Sequence, residues 1–379
     1  MTKAAELAKM GEIITDSQVG GRRNMFLNPD MQIAQRGTSL AIAHDGTVQG
    51  YLIDRWRISF NATDQIDGTY AQVNDHPLNV NGKSLKWTTG TAESAIDSNE
   101  YGYFAQIIEA QHLQHLYYGN SNAKTITLSF YVKSSVTGTF AVGIYKADST
   151  TRIFNKTYTI DSANTWEKKT VTFIGDTDSS ATIDNNNGQG FYVNWHLFAG
   201  TDYTDTTSTS GWVNYSTGTW ANGQATNAIG TTASATWQLA DCQLEVGEQA
   251  TPFEHRSFGE ELALCQRYYE RYETSGANYA RFGLFQCTST TTAFGAIDYK
   301  VSKRSASVTL DTELTRLALS DSDNSMLPVT AIAIDSNCNS FENTSVTITA
   351  SGGGLVAGEC TQLLSENVSN GYIAIDAEL

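Results

Sequence analysis

Residues 126–145 read ITLSFYVKSSVTGTFAVGIY, and this stretch decides the fold class. Within residues 126–132 and 140–144, apolar side chains alternate with polar or small ones. Alternation with a period of two is typical of strands that bury one face of a sheet. Ser, Thr and Gly between the two runs are typical turn residues. The stretch therefore predicts two short strands in a mainly β protein.

Strand-like runs recur at residues 166–173, 191–198 and 237–246, and clusters of Gly, Asn, Asp and Ser separate them. Several short strands with regular turn signals predict a β-sandwich, most economically a jelly roll. A capping box at Ser257 and Glu260 predicts a helix over residues 258–274, and strand patterns return after it. The predicted organisation is a short N-terminal helix at 1–25, a jelly roll at 26–256, a connecting helix at 257–276 and a smaller distal β domain at 277–379.

The composition limits the classes of partner. The net charge is -16 at pH 7, and an acidic chain repels phosphate backbones and anionic lipid. We therefore expect no nucleic-acid partner. No stretch approaches 18 consecutive apolar residues, so we expect no membrane insertion. The first 20 residues lack the apolar core of a secretory signal, which predicts assembly in a cytoplasm.

No motif predicts a metal site or a cofactor. The 5 cysteines form no C-x-x-C pair, and His112 and His115 have no further ligands evident nearby. Residues 321–325, DSDNS, resemble the start of a calcium loop, but Met326 stands where an EF-hand has its turn glycine. We expect no cofactor, and a structural calcium ion remains an open alternative.

A polysaccharide-cleaving enzyme is a further alternative. Glycoside hydrolysis needs two carboxylates that face each other across a cleft. The acidic residues near aromatic or loop segments are Glu100, Glu109, Asp202 and Asp205. Acidic residues are common in this chain, so their presence does not identify such a pair, and we expect no catalysis.

Residues 200–234 form a polar segment that holds Trp212, Tyr215 and Trp220. Aromatic faces stack on the apolar faces of sugar rings, while Thr, Asn and Asp side chains bond the sugar hydroxyls. The alternative is that these rings pack the loop onto its own domain. The segment predicts a glycan-binding loop in which these three aromatic residues contact the glycan.

Two stripes at coiled-coil spacing predict self-association into a homotrimer. The N-terminal stripe consists of Leu7, Met10 and Ile14. The second has alternating intervals of four and three residues and consists of Phe258, Leu262, Cys265, Tyr269 and Tyr272. A seam of this kind packs either on the preceding domain or on copies of itself about a symmetry axis.

Several strings in the chain resemble tail-fibre-like structural proteins of tailed phages. Residues 20–39 (GGRRNMFLNPDMQIAQRGTS) and 51–57 (YLIDRWR) resemble the opening of such proteins. The strings TLSFYVKS at 127–134, QLEVG at 243–247 and ATPFE at 250–254, together with EELALCQRYY at 260–269, are similar to later parts. The resemblance covers roughly residues 20–275.

The resemblance implies a jelly roll similar to carbohydrate-binding modules, followed by a helix and a distal β domain. It also implies a homotrimer in the virion, assembled in the host cytoplasm, whose N-terminus contacts other virion proteins. The expected function is a tail fibre or spike that binds host surface polysaccharide without catalysis. A capsid-bound head fibre or decoration protein is the alternative hypothesis, and a polysaccharide depolymerase is the third hypothesis.

Overall fold

The computed structural model describes residues 22–379, apart from 45, 63–64, 206–209, 226–228, 275, 322 and 324. The predicted stripe of Leu7, Met10 and Ile14 lies outside the described residues. The chain divides into two units, the first ending at Glu261 and the second beginning at Leu262. Among the described helices, none has the length and apolar character needed to cross a bilayer.

The first unit is built from strands. In chain order they are β1 (Ser39–Ile42), β2 (Gly46–Tyr51), β3 (Arg57–Ala62), β4 (Gly68–Val73), β5 (Ser84–Thr89), β6 (Tyr101–Glu109), β7 (Ile126–Ser134), β8 (Gly138–Lys146), β9 (Arg152–Ile160), β10 (Glu167–Phe173), β11 (Gln189–Ala199), β12 (Val213–Asn214) and β13 (Thr236–Val246). One sheet has the order β1-β4-β5-β13-β7-β10, and the other has the order β12-β9-β8-β11-β6-β3-β2. Short 3-10 helices lie at Ala110–Leu116, Thr201–Tyr203 and Thr217–Thr219.

The two sheets pack face to face through large side chains. Phe130 of β7 meets Trp195 of β11 with ring centroids 5.9 Å apart, and Phe104 of β6 stacks on Trp237 of β13 at the same distance. All four rings are fully buried. Burial of a side chain of this kind contributes about 1.5–3 kcal/mol. The prediction of a mainly β chain with a jelly-roll sandwich is confirmed.

Helix α1 (Phe258–Gln266) begins where the capping box predicted. The Ser257 hydroxyl accepts the backbone N–H of Glu260 at 3.3 Å. The predicted extension to residue 274 is wrong, because residues 269–273 instead form strand β14 (Tyr269–Glu273), which pairs with β22 (Tyr372–Asp376). Strand pairing with a segment about a hundred residues away overrides the local helical spacing.

The seam predicted on that helix is therefore wrong as a single stripe. Tyr269 and Tyr272 lie on β14, and Cys265 and Tyr269 are fully buried within the chain, so neither can contact another copy. Of the five predicted residues only Phe258, at 63%, is a large exposed side chain. The homotrimer itself stays a prediction.

The second unit has a closed barrel and a separate small sheet. The remaining strands are β15 (Arg281–Cys287), β16 (Thr292–Asp298), β17 (Thr309–Thr312), β18 (Leu317–Ser320), β19 (Met326–Ile334), β20 (Asn343–Ala350) and β21 (Cys360–Ser365). The barrel has the order β15-β16-β20-β19-β18-β21, and the small sheet has the order β14-β22-β17. A 3-10 helix lies at Leu314–Arg316. Val346 and Ile348, two residues apart on β20, are buried in the hydrophobic core of this unit.

Candidate ligand-binding cleft

The seven-stranded sheet carries tyrosines on the face turned away from the sandwich core. Residues two apart on a strand share a face, so Tyr101 and Tyr103 of β6 project together. Tyr145 of β8 pairs directly with Tyr192 of β11. Their sequence neighbours Phe104, Ile144 and Val193 are buried in the core. The alternation that builds the sandwich thus also builds an aromatic outer surface.

A loop covers part of this surface and is fixed to the strands by hydrogen bonds. The Asn155 side-chain amide donates to the carbonyl of Thr219 at 2.6 Å. The backbone N–H of Ala141 donates to the side-chain carbonyl of Gln224 at 2.8 Å. Tyr215 N–H donates to the carbonyl of Thr151 at 3.0 Å. These bonds hold the segment around residues 215–224 across the sheet.

A cleft of about 500 Å³ opens between the loop and the sheet. Trp220 forms one of its walls and meets three tyrosine rings, with centroids 5.3 Å from Tyr103, 5.5 Å from Tyr145 and 5.8 Å from Tyr215. The lining consists of Arg57, Tyr101, Tyr103, Tyr145, Ala147, Gln189, Tyr192, Tyr203, Tyr215 and Trp220. Within the described part of the chain, no Asp or Glu lines it.

Burial keeps five of the tyrosine hydroxyls that line the cleft neutral at physiological pH. Burial raises the pKa of Tyr103 to about 12, and burial likewise raises the pKa of Tyr145, Tyr192, Tyr203 and Tyr215. The positive charge of Arg57 opposes the rise in pKa at Tyr103 and at Tyr192. Each neutral hydroxyl can both donate and accept a hydrogen bond.

A buried histidine lies behind the aromatic wall. The His196 ring lies 5.6 Å from Tyr103 and 6.1 Å from Trp220, measured between ring centroids. Its side chain is inaccessible to solvent. Burial lowers the pKa of His196 to about 3, so the imidazole is uncharged at neutral pH. It therefore supports the wall without adding charge to the cleft.

The structure brings two of the three predicted glycan-binding residues to the cleft. Tyr215 and Trp220 line it, and Trp212 does not. Instead, the Trp212 ring packs against Phe154 at 5.7 Å and Tyr118 at 5.6 Å, and its N–H donates to the carbonyl of Ile174 at 2.7 Å. Trp212 therefore follows the alternative hypothesis, in which the ring packs the loop onto the core of its own domain.

The remaining lining residues were missed in the sequence. Tyr145 follows the last apolar residue of the run at 140–144, and Tyr101 and Tyr103 have the spacing of two that places side chains on one face. That periodicity was the available signal. It does not reveal that β6, β8 and β11 lie side by side, which depends on long-range pairing.

The four acidic residues considered for catalysis lie outside the cleft lining. Glu100 and Glu109 are buried, and the Glu100 carboxylate accepts the N–H of Asp97 at 3.1 Å. Asp202 accepts the Ser98 hydroxyl at 3.1 Å, and the N–H of Asp205 donates to the carbonyl of Gly218 at 2.6 Å. These carboxylates do not form a pair that faces across the cleft.

The described residues of the calcium-like segment, Asp321, Asp323 and Ser325, bond to one another. The Asp321 carboxylate accepts the backbone N–H of Asp323 at 3.0 Å and that of Ser325 at 2.7 Å. Across the described residues, no three His, Cys, Asp or Glu side chains are grouped so that they could hold a metal ion. His112 lies on the surface of the 3-10 helix at Ala110–Leu116.

No protein-family model and no curated protein matches the chain. Among solved structures, it is similar to the enzymatically active domain of tailspike protein 4 of bacteriophage CBA120, at 11% identity and a TM-score of 0.31. That match covers 59% of this chain and 21% of the other, so the chain spans about a fifth of the tailspike structure.

Two Clostridium thermocellum carbohydrate-binding modules are also similar to the chain. The family 11 module of a cellulosomal cellulase has 11% identity and a TM-score of 0.26, and covers 59% of this chain and 96% of its own. A C-terminal family 22 module has 13% identity and a TM-score of 0.29, and covers 57% of this chain and 98% of its own.

Proposed function

We propose that the first unit binds a glycan in the aromatic cleft and that the chain acts without catalysis as a phage attachment protein, a tail fibre or spike. The observation that carries the proposal is a cleft of about 500 Å³ with seven aromatic side chains in its lining. Small-ligand sites have volumes of about 300–1,000 Å³. The cleft can therefore take a short stretch of polysaccharide.

The chemistry of the lining suits sugars. The Trp220 ring and the neighbouring tyrosine rings offer flat apolar faces, and a sugar ring presents C–H groups on one face. The neutral tyrosine hydroxyls and the Gln189 amide supply donors and acceptors for sugar hydroxyls. Such contacts are weak one at a time, and a homotrimer would present three clefts whose combined avidity exceeds the affinity of one.

The phage role rests on the resemblance to tail-fibre-like proteins, which is carried by residues 20–39, 51–57, 127–134, 243–247, 250–254 and 260–269. A capsid-bound head fibre or decoration protein remains the alternative within the virion. A depolymerase is disfavoured, because two carboxylates are the usual requirement for glycoside hydrolysis and the described lining supplies none.

The test measures retention of the purified protein on a panel of immobilised bacterial capsular and O-antigen polysaccharides. We expect retention on at least one of them, competition by the same polysaccharide in solution, and no new reducing ends during incubation. Release of reducing ends by the protein would instead support the hypothesis that it is a polysaccharide depolymerase. Failure to bind any polysaccharide would contradict the glycan-binding role.

A second experiment distinguishes the two locations on the virion. Labelling of virions with an antibody against the protein would show whether it lies on the tail or on the head.

A further inference from the structure

The cleft contains one formal charge, and it is positive. Arg57 is the single ionisable side chain other than tyrosine in the described lining. Tyr103 and Tyr192, which lie beside Arg57, stay neutral because burial raises the pKa of each. A positive charge without a matching carboxylate is notable in a protein whose net charge is -16.

Other arginines of the same unit are neutralised within the chain. Arg152 pairs with Asp176 at 2.5 Å and with Asp178 at 3.3 Å. Arg256 pairs with Glu254 at 3.4 Å and with Glu261 at 3.3 Å. Among the described residues, no carboxylate lies within salt-bridge distance of Arg57. Its side chain instead bonds the hydroxyl of Tyr192 and lies among the cleft tyrosines.

Arg57 lies on β3 opposite Ala105 of β6, which is two residues along the strand from Tyr103 and so shares its face of the sheet. Arg57 opposes the rise in pKa at Tyr103 and Tyr192, whereas the carboxylate of Asp202 contributes to the rise in pKa at Tyr203. Asp202 is exposed and does not line the cleft. The positive end of the cleft is therefore the end beside Tyr103 and Tyr192.

We propose that the bound glycan contains an acidic sugar and that Arg57 pairs with its carboxylate. This inference rests on the glycan-binding function proposed above. A guanidinium matches a carboxylate with two parallel N–H···O bonds, and one positive charge balances one carboxylate. An otherwise acidic protein repels anionic polymers, so a lone cation within the aromatic cleft sets both the position and the orientation of the acidic sugar.

The test uses uronic-acid-containing surface polysaccharides, their carboxyl-reduced forms and neutral polysaccharides, with the full chain. We expect the wild-type protein to bind an acidic polysaccharide and to bind its carboxyl-reduced form about tenfold to a hundredfold more weakly, the loss typical of a charge-assisted hydrogen bond. Arg57→Gln should lose a similar factor on the acidic polymer, so that its ratio of affinities for the acidic and the reduced polymer falls to about one.

Two further variants complete the design. Arg57→Lys keeps the charge without the planar fork and should fall between the wild type and Arg57→Gln. Arg281→Gln removes one positive charge from an exposed position on β15 and should bind like the wild type. Melting temperatures establish that each variant is folded.

Each outcome is decisive. Equal binding of acidic, reduced and neutral polymers, unchanged by Arg57→Gln, would leave glycan binding intact and overturn the assignment of Arg57. Binding restricted to neutral polymers would overturn it as well. Failure of the wild-type protein to bind any of the three classes would contradict the glycan-binding function itself, and this inference with it.

Discussion

Trp220 and Tyr103 meet edge to face, with ring centroids 5.3 Å apart and ring planes at 68°. Trp220 comes from the polar loop, and Tyr103 projects from near the start of β6. Edge-to-face contacts of this kind contribute about 0.5–1.5 kcal/mol beyond the burial of area. This contact joins the loop to the sheet and shapes the wall of the cleft.

Replacement of Gly143 by Ala tests how the loop is held. A Cβ at Gly143 would lie 2.0 Å from the side-chain oxygen of Asn155, so Asn155 must move and its bond to Thr219 weakens. Loss of one such bond costs about 1 kcal/mol, and we expect roughly fivefold weaker glycan binding by titration calorimetry. Gly211→Ala is the control, because a Cβ there has nothing within 4 Å. Unchanged binding by Gly143→Ala would show that this bond does not hold the loop.

The buried His196 predicts a pH dependence of stability. Its pKa is about 3 in the folded chain and 6.5 for the free side chain, so the unfolded chain binds the extra proton between these values. The stability is complete above pH 6.5 and falls as the pH drops towards 3, by about 1.4 kcal/mol per pH unit. Urea unfolding of His196→Gln should show a shallower loss between pH 6.5 and 4.5 than the wild type. Equal slopes would contradict the prediction.

The second unit contains a buried ion pair that we expect to matter for its stability. Lys303 and Glu270 side chains are both 0% exposed, and the Lys303 ammonium also donates to the carbonyl of Gln266 at 2.6 Å. Lys303→Met leaves the Glu270 carboxylate buried without a counter-charge, with the backbone N–H of Lys300 still donating to it at 2.9 Å, and should cost about 3–5 kcal/mol. The double variant Lys303→Met, Glu270→Gln should recover much of that loss.

The tryptophans allow the two units to be followed separately. All 7 lie at or before residue 237, within the first unit. Tryptophan fluorescence therefore reports the first unit, and circular dichroism reports both. We expect Lys303→Met to shift the dichroism transition attributable to the second unit. A shift in the fluorescence transition alone, or no shift in either, would contradict this assignment.

The spacing of residues 126–145 was sufficient to predict the fold class. A strand that buries one face has apolar residues at every second position, and this period of two is visible in the sequence. The spacing of residues 258–272 wrongly predicted a helix over the whole segment. Apolar residues at intervals of four and three do not exclude a strand at the end of the segment. The last part, at 269–273, is fixed by pairing with β22. Helical propensity is a weak signal beside such a contact.

The candidate site was only partly predictable for a related reason. Trp212 and Trp220 occur in the same polar loop and look equivalent in the sequence. Only the folded chain separates them, because Trp212 packs beside Phe154 and Trp220 beside Tyr103. The tyrosines of β6, β8 and β11 become one surface through the strand order.

The homotrimer is a prediction that light scattering checks. The expected mass is about three times 41.2 kDa. Phe258→Ser should not change the fold, because this side chain is 63% exposed, and a loss of trimer in this variant would place Phe258 at the interface. A wild-type monomer at micromolar concentration would contradict the trimer.

The glycan-binding cleft is tested most directly by calorimetric titration of Trp220→Ala and Trp212→Ala with a polysaccharide that the wild type retains. We expect Trp220→Ala to weaken binding by at least tenfold, because it removes a wall of the cleft. Trp212→Ala should bind like the wild type and lose about 2–4 kcal/mol of unfolding free energy, since its ring packs on the core. Wild-type affinity in Trp220→Ala, or loss of binding only in Trp212→Ala, would contradict the assignment of the cleft.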